Sequence, residues 1–235
     1  MTPGDWIDFF RYISEPYNGI LVPEADDRDL KALLIPKVMA AKGQFDVVFQ
    51  PKYVPPQVGD WDADDEKLPE GESPAPYYLR ANTGPRWMLG SVMSRPFITT
   101  KQCAGVCAIS SIESSNVYGA SSSVLSRFMT FEKVDHCLAV MEGTLVVRLK
   151  GQEQREEVFR EGETVVIPAG QAFALEFRSK YVRVWSFTDG DGIESLIQRA
   201  GKAFSRVVLP ETVEGLDVDE GRVNQVAEEL SLTLK

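Results

Sequence analysis

The sequence predicts an all-β core that is extended by α-helices at both ends. Between residues 77 and 187 the chain runs through short β-type segments separated by turn residues, without a helical pattern between them. Apolar residues recur at helical spacing near the N-terminus and again after residue 192. Closely spaced strands without intervening helices are typical of an antiparallel barrel or sandwich.

Two helices are predicted before the core. Thr2 and Pro3 are typical of a helix start, and an aromatic face that includes Trp6 follows them. A second helical pattern begins around Leu30, and Pro36 is expected to bend or restart this helix.

The end of the N-terminal extension, residues 1–75, is marked by composition. Residues 45–49 have the pattern of a strand, and residues 51–76 then become rich in proline and acidic side chains. A stretch of this kind is typical of a solvated connector. We therefore place the boundary of the core domain near residue 75.

The core domain is predicted over residues 76–190 and the C-terminal helical extension over residues 191–235. The extension is expected to contain one helix along Ile193 and Ala200, weakened or capped by Gly201, and a second from about Asp219. No internal repeat indicates a duplicated barrel. The strands are predicted over residues 77–80, 86–92, 106–112, 136–142, 144–149, 157–160, 164–167, 173–177 and 182–187.

Composition excludes several classes of protein. The 235 residues carry a formal net charge of −10, so a nucleic-acid partner is not expected. No apolar run approaches the roughly 20 residues that span a bilayer, and the first residues lack a signal-peptide pattern, so we expect a cytoplasmic protein without a membrane partner. The three cysteines, Cys103, Cys107 and Cys137, are expected to be buried reduced thiols, the first two within a strand.

Two segments carry a family resemblance. The first begins at His136 and reaches Gly143 at the start of a hairpin. The second begins at Gly162, places Pro168 and Gly170 in a tight turn, and ends at residue 177. Together they resemble the two motifs of the cupin superfamily, and residues 76–192 are similar to fungal small-molecule cupins related to quercetin 2,3-dioxygenase through residues 82–86, 111–115 and 187–192. The resemblance implies a single RmlC-like jelly-roll barrel, a small-molecule substrate and, by family habit, a homodimer.

The ligand positions of metal-binding cupins are altered in this chain. His136, the single histidine, stands where the family has a glutamate. The two upstream histidine positions fall within residues 129–132, and Phe173 stands at the position of the third histidine. At best His136 and Glu132 supply two ligands, which hold a divalent metal weakly. We expect no metal cofactor, with Fe, Cu, Mn, Ni or Zn as a minority alternative.

The candidate catalytic residues lie around His136, which strand alternation directs into the barrel. The ring has three interpretations: a hydrogen-bonded core histidine, a general acid or base, or a surviving metal ligand. Glu132 and Asp135 can orient the ring or share its proton, and Arg127 can bind an anionic oxygen. The candidate substrate-binding residues suit an aromatic or polyketide-like ligand, with ordinary core packing as the alternative, and they are Phe173, Phe177, Met129, Phe131, Trp87 and Leu138.

Three functions follow from these residues. The first is a metal-independent enzyme that isomerises, cyclises or eliminates from its substrate, with His136 as acid or base. The second is a quercetinase-like dioxygenase built on unusual ligands around His136 and Glu132. The third is a small-molecule-binding protein or partner subunit without catalysis. The fold alone does not choose among them.

Overall fold

The structure is a computed structural model that describes all residues except 1–3, 20–26, 51, 56, 58, 72–75, 120–122, 152–155, 213, 215 and 216. The chain divides into two compact units, residues 1–59 and residues 60–235. Part of the acidic segment therefore groups with the second unit, where the Arg80 amide donates to the Asp65 carbonyl at 2.8 Å. The predicted boundary near residue 75 stays a prediction.

The first unit contains the helices α1 (Gly4–Ile13) and α2 (Leu30–Ala40). Pro36 lies inside a continuous α2, and the predicted cap at Thr2 and Pro3 lies outside the described residues. The predicted strand over residues 45–49 is wrong. Phe45 packs its ring against Phe9 at 5.9 Å, but Val48 and Phe49 are exposed, and these residues pair with none of the described strands.

The second unit contains the β core together with helices α3 (Ile193–Ala200) and α4 (Glu220–Glu229). None of the described helices is long and apolar enough to cross a membrane. The strands are β1 (Trp87–Leu89), β2 (Val92–Ile98), β3 (Ala108–Ser114), β4 (Met129–Phe131), β5 (His136–Glu142), β6 (Thr144–Leu149), β7 (Glu156–Arg160), β8 (Thr164–Ile167), β9 (Phe173–Phe177), β10 (Val182–Thr188), β11 (Lys202–Ala203) and β12 (Leu232–Leu234).

These strands form two antiparallel sheets that share one core. A seven-stranded sheet has the order β11-β1-β2-β3-β10-β5-β8, and a five-stranded sheet has the order β12-β4-β9-β6-β7. Leu138 and Val184 of the first sheet pack in the same hydrophobic cluster as Leu145 and Phe173 of the second. The all-β core is thus confirmed. The described strands form two sheets that do not close into one, and the single jelly-roll barrel stays a prediction.

Strand alternation decides which side chains of β5 enter this core. His136, Leu138 and Val140 are buried, whereas the intervening residues are partly exposed. β5 then turns into β6 at Gly143, whose φ is 81° and where a Cβ would lie 2.3 Å from the Tyr181 carbonyl oxygen. The hairpin therefore requires glycine at this position.

The C-terminal extension adds one short strand to each sheet. α3 and α4 confirm the two predicted helices, and Asp219 caps α4 by accepting a hydrogen bond from the Arg222 amide. β11 pairs with β1, and β12 pairs with β4. Neither short strand was predicted, and both tie the extension to the core.

Two further sequence predictions are corrected. Residues 77–80 form no strand, and the Tyr77 hydroxyl instead donates to the Phe97 carbonyl at 2.7 Å. The predicted strand over residues 86–92 contains a turn at Gly90 that separates β1 from β2.

The cysteines also differ from expectation. All three thiols are free and half-buried rather than buried. Cys103 ends a 3-10 turn and Cys107 precedes β3, so the prediction that both lie in a strand is wrong. Their sulfur atoms lie 3.5 Å apart.

Candidate functional site

The core histidine lies between aromatic rings of the opposite sheet. His136 begins β5 and is 1% exposed. Its ring centroid lies 4.6 Å from that of Phe131 and 5.3 Å from that of Phe173. β4 and β9 position these two phenylalanines, because Met129 pairs with Phe173 in the five-stranded sheet. The prediction that strand alternation directs His136 inward is thus confirmed.

Hydrogen bonds fix the tautomer of the imidazole. His136 Nε2 accepts from the Ile193 amide at 3.3 Å, so the proton of the neutral ring is on Nδ1. Burial lowers the pKa of His136 to about 4, against the opposing effects of a backbone hydrogen bond with Val134 and the carboxylates of Asp189 and Asp135. The ring is therefore a neutral base at ordinary pH.

A buried glutamate on α3 completes the site, and the sequence analysis did not identify it. Glu194 is 1% exposed. Its Oε1 accepts from the Gly192 amide at 2.8 Å and the Thr188 hydroxyl at 2.9 Å, and the Ser186 hydroxyl lies 3.4 Å from Oε2. Burial raises the pKa of Glu194 to about 7, because these neutral donors offset the desolvation of the charged form only partly. A local signal existed, since Glu194 lies three residues before Ile197 on the apolar face of α3.

Gly192 brings the imidazole and the carboxyl together. A Cβ at this position would lie 2.7 Å from His136 Nε2 and 3.1 Å from Glu194 Oε2. Thr188 pairs with His136 across β10 and β5 and also donates to Glu194. We name His136 and Glu194 the core acid–base pair.

The residues around this pair do not fit a cupin-type metal. Among the described residues, no group of three or more histidine, cysteine, aspartate or glutamate side chains is arranged to hold a metal ion. The Ile193 amide already occupies His136 Nε2, and the apolar ring of Phe173 stands at a former ligand position. Glu132, the second ligand considered, is exposed. The expectation that the protein works without a cofactor stays a prediction.

The structure places the other polar candidates away from the imidazole. Arg127 forms a hydrogen-bonded ion pair with Glu220 of α4, with 2.7 Å between Nη1 and Oε2. Asp135 accepts from the Ala169 amide at 2.7 Å, which anchors the loop after β8. Asp135 thus acts on His136 through its charge rather than through a hydrogen bond.

The apolar candidates separate into two groups. Met129, Phe131, Leu138 and Phe173 meet in the core around His136 and are at most 1% exposed. The remaining two line separate surface cavities, as Phe177 borders a cavity of about 210 Å³ and Trp87 borders one of about 620 Å³.

Only the first turn of α3 separates the larger cavity from the core acid–base pair. We name it the α3 cleft, and its lining includes Trp87, Asp191, Ser195, Gln198 and Arg199. Asp191 accepts from the Ser195 hydroxyl at 2.8 Å and from the Thr100 hydroxyl at 2.7 Å. The first turn of α3 is therefore the wall between the cleft and the pair.

Comparisons with known proteins give low similarities. No family model and no curated protein matches the chain. The EutQ protein of Clostridium difficile is 19% identical over 42% of this chain and 68% of its own, with a TM-score of 0.33. KdgF from Halomonas sp. is 12% identical over 44% of this chain and 86% of its own, with a TM-score of 0.34. The cupin domain of Schizosaccharomyces pombe Cnp3 is 11% identical over 44% of this chain and 68% of its own, with a TM-score of 0.33. Similarities this low carry no argument about fold or function.

Proposed function

We propose that the protein is a cupin-type enzyme of small-molecule metabolism that acts without a barrel metal, through the core acid–base pair. The observation that carries the proposal is a buried carboxyl group with a pKa raised to about 7, adjacent to an imidazole with a pKa lowered to about 4. Groups whose environments push their pKa values apart are typical of acid–base sites. The two cupin-like motifs and the two-sheet sandwich support the family assignment.

The proposed chemistry is a proton relocation. Between about pH 4 and pH 7, His136 is neutral and Glu194 is protonated. The imidazole removes a proton from one atom of the substrate, and the carboxylic acid delivers its proton to another. The resulting imidazolium and carboxylate then exchange a proton and restore both groups. The substrate is isomerised or cyclised, or it loses water when the atom that the carboxylic acid protonates is a hydroxyl oxygen. None of these steps needs an oxidant, so protons and electrons balance.

The walls of the site indicate the class of substrate. Phe131 and Phe173 flank the imidazole, and Trp87 lines the α3 cleft. Aromatic rings beside the imidazole and at the cleft suit an aromatic or polyketide-like substrate, and the polar residues of the cleft can bind its oxygen atoms. We therefore expect such a compound to enter from the α3 cleft.

Entry requires the first turn of α3 to move. Asp191 and Ser195 face the cleft, whereas Ile193 and Glu194 between them are fully buried on the core side. The Ile193 amide must release His136 Nε2 before a substrate atom can take its place. The proposal therefore includes an opening of this turn during each catalytic cycle.

Turnover of a defined compound panel tests the proposal. Aromatic and polyketide-like compounds are incubated with the protein, with and without a chelator, and chromatography with mass spectrometry detects isomers or dehydrated products. We expect chelator-insensitive turnover that falls at least about 100-fold in His136→Gln and Glu194→Gln, since general acid–base groups contribute this much. Arg160→Gln, an exposed change on β7, is the control. Turnover that both pair variants retain would overturn the proposal.

A second candidate function is small-molecule binding without catalysis. The packing favours a protein without catalysis, because Met129, Phe131 and Phe173 fill the core. His136 and Glu194 are also already hydrogen-bonded within the protein. Ligand binding without product in the same experiment, unchanged by the pair variants, would select this candidate. A quercetinase-like dioxygenase would instead require stoichiometric metal and oxygen consumption.

A further inference from the structure

A second polar cleft lies on the outer face of the seven-stranded sheet. It has a volume of about 300 Å³, and we name it the arginine cleft. Its lining consists of Asn82, Arg86, Arg95, Glu113, Tyr181, Arg183, Val207, Val208 and Leu209.

The sheet register brings the charged side chains together. Arg95 lies on β2, Glu113 on β3 and Arg183 on β10, which are neighbouring strands, and Arg183 is the direct partner of Glu113. Along their strands, these charged residues alternate with residues that face the core, such as Ile112 and Val184. The cleft therefore lies on the outer face of the sheet, opposite the face that carries His136. The two sites are therefore separate.

The cleft contains more positive than negative charge. Three guanidinium groups meet one carboxylate, Glu113, in a chain whose formal net charge is −10. The Glu113 oxygens accept hydrogen bonds from neutral donors, the Ser111 hydroxyl at 2.9 Å and the Tyr181 hydroxyl at 2.7 Å. The closest contact of Arg183 with Glu142 is 3.8 Å, which is long for a hydrogen bond.

The other two arginines donate to backbone carbonyls rather than to carboxylates. Arg86 Nη1 donates to the Gly84 carbonyl at 3.2 Å, and its Nη2 donates to the Asn82 carbonyl. Arg95 Nη1 donates to the Thr83 carbonyl at 3.2 Å. Carbonyl dipoles orient these guanidinium groups without neutralising their charge.

Two donors in the cleft lack a partner. Arg86 is 8% exposed, and the Nε atoms of Arg86 and Arg183 are buried without a hydrogen-bond acceptor among the described residues. Burial lowers the pKa of Arg86, and burial together with the charges of Arg86 and Arg183 lowers the pKa of Arg95. Buried cations that lie close together destabilise a fold unless an anion compensates for their charge.

We propose that the arginine cleft binds a small organic anion through an oxoanion group, either a phosphate or a carboxylate. Guanidinium groups present paired donors that match both groups. The apolar side chains of Val207, Val208 and Leu209 form one wall, which suits the carbon skeleton of such a ligand. The volume of about 300 Å³ accommodates a small aromatic acid or phosphate ester.

Calorimetric titration of the full chain tests this site with three probes: inorganic phosphate, phenyl phosphate and benzoate. We expect saturable binding of at least one probe at a stoichiometry of one, weakening as salt increases. Binding of both phosphate probes identifies recognition of a phosphate, and binding of benzoate identifies recognition of a carboxylate. Binding of phenyl phosphate but not of inorganic phosphate shows that the ligand must also contact the apolar wall.

Matched variants show where the probe binds. Arg95→Gln and Arg183→Gln are partly exposed and are expected to fold, and each should weaken binding about tenfold or more. Arg160→Gln, the same change on the other sheet, should bind as the wild type does. No saturable binding of any probe at millimolar concentration would overturn the proposal, as would binding that both cleft variants retain. Neither result bears on the core acid–base pair.

Discussion

Two buried titratable residues of the core have pKa values that are shifted in opposite directions. The native pKa of His136 lies below its ordinary value of 6.5, so this group destabilises the fold as pH falls from 6.5 towards 4. The native pKa of Glu194 lies above its ordinary value of 4.5, so this group destabilises the fold as pH rises from 4.5 towards 7. The two effects oppose each other between pH 4.5 and 6.5.

Replacement of Glu194 by glutamine should expose the histidine contribution. Between pH 4.5 and 6.5 the unfolding free energy of the wild type should change little from this pair. In Glu194→Gln the unfolding free energy should rise by about 2 kcal/mol from pH 4.5 to pH 6.5, because only the histidine contribution remains. Denaturant unfolding at a series of pH values measures the difference, with the exposed Glu161→Gln as control. Parallel pH profiles for wild type and Glu194→Gln would contradict the raised pKa.

Close packing at Gly192 gives a second prediction at this scale. A methyl group there would meet Thr188 Cγ2 at 2.6 Å and His136 Nε2 at 2.7 Å, whereas at Gly190 it would meet Val134 at 3.3 Å. Gly192→Ala should therefore lower the unfolding free energy by about 1–3 kcal/mol, and Gly190→Ala by less. Chemical denaturation of both variants compares them. Equal losses would show that the approach of α3 to His136 is looser than described.

At the scale of elements, the sequence predicted the strands that carry regular patterns. β5, β6, β8 and β9 agree with prediction at both ends, because alternation and hairpin glycines such as Gly143 mark them locally. β11 and β12 have two and three residues and depend on distant partners, so no local pattern indicates them. Glu194 differs from these strands, because its place on the apolar face of α3 was a local signal, whereas its hydrogen bond with Thr188 of β10 depends on tertiary packing.

The ion pair between Arg127 and Glu220 links α4 to the segment before β4. Both side chains are substantially exposed, so solvent screens the pair. Arg127→Gln should lower the unfolding free energy by less than about 1 kcal/mol, and the difference should shrink in high salt. Val226→Ala, which truncates a fully buried α4 side chain, should cost more. The reverse order would show that Arg127 has a role beyond this pair.

At the scale of the whole molecule, residues 60–235 contain both sheets, α3, α4 and the shared core. A fragment of these residues should therefore unfold in one cooperative transition and keep the core acid–base pair. Circular dichroism during denaturation measures this directly. Loss of cooperative unfolding would show that residues 1–59 are needed to form the core.

The expected homodimer and cytoplasmic location stay predictions, and light scattering of the full chain tests the dimer.

Because His136 is the single histidine of the chain, its ionisation can be followed directly. Nitrogen-15 labelling of histidine in protein without a histidine tag gives signals from His136 alone. In a pH titration by NMR we expect the neutral Nδ1-protonated tautomer down to about pH 4, with a second inflection near pH 7 from Glu194 that disappears in Glu194→Gln. A single titration near the ordinary pKa of 6.5, unchanged in Glu194→Gln, would show that His136 and Glu194 do not form an acid–base pair.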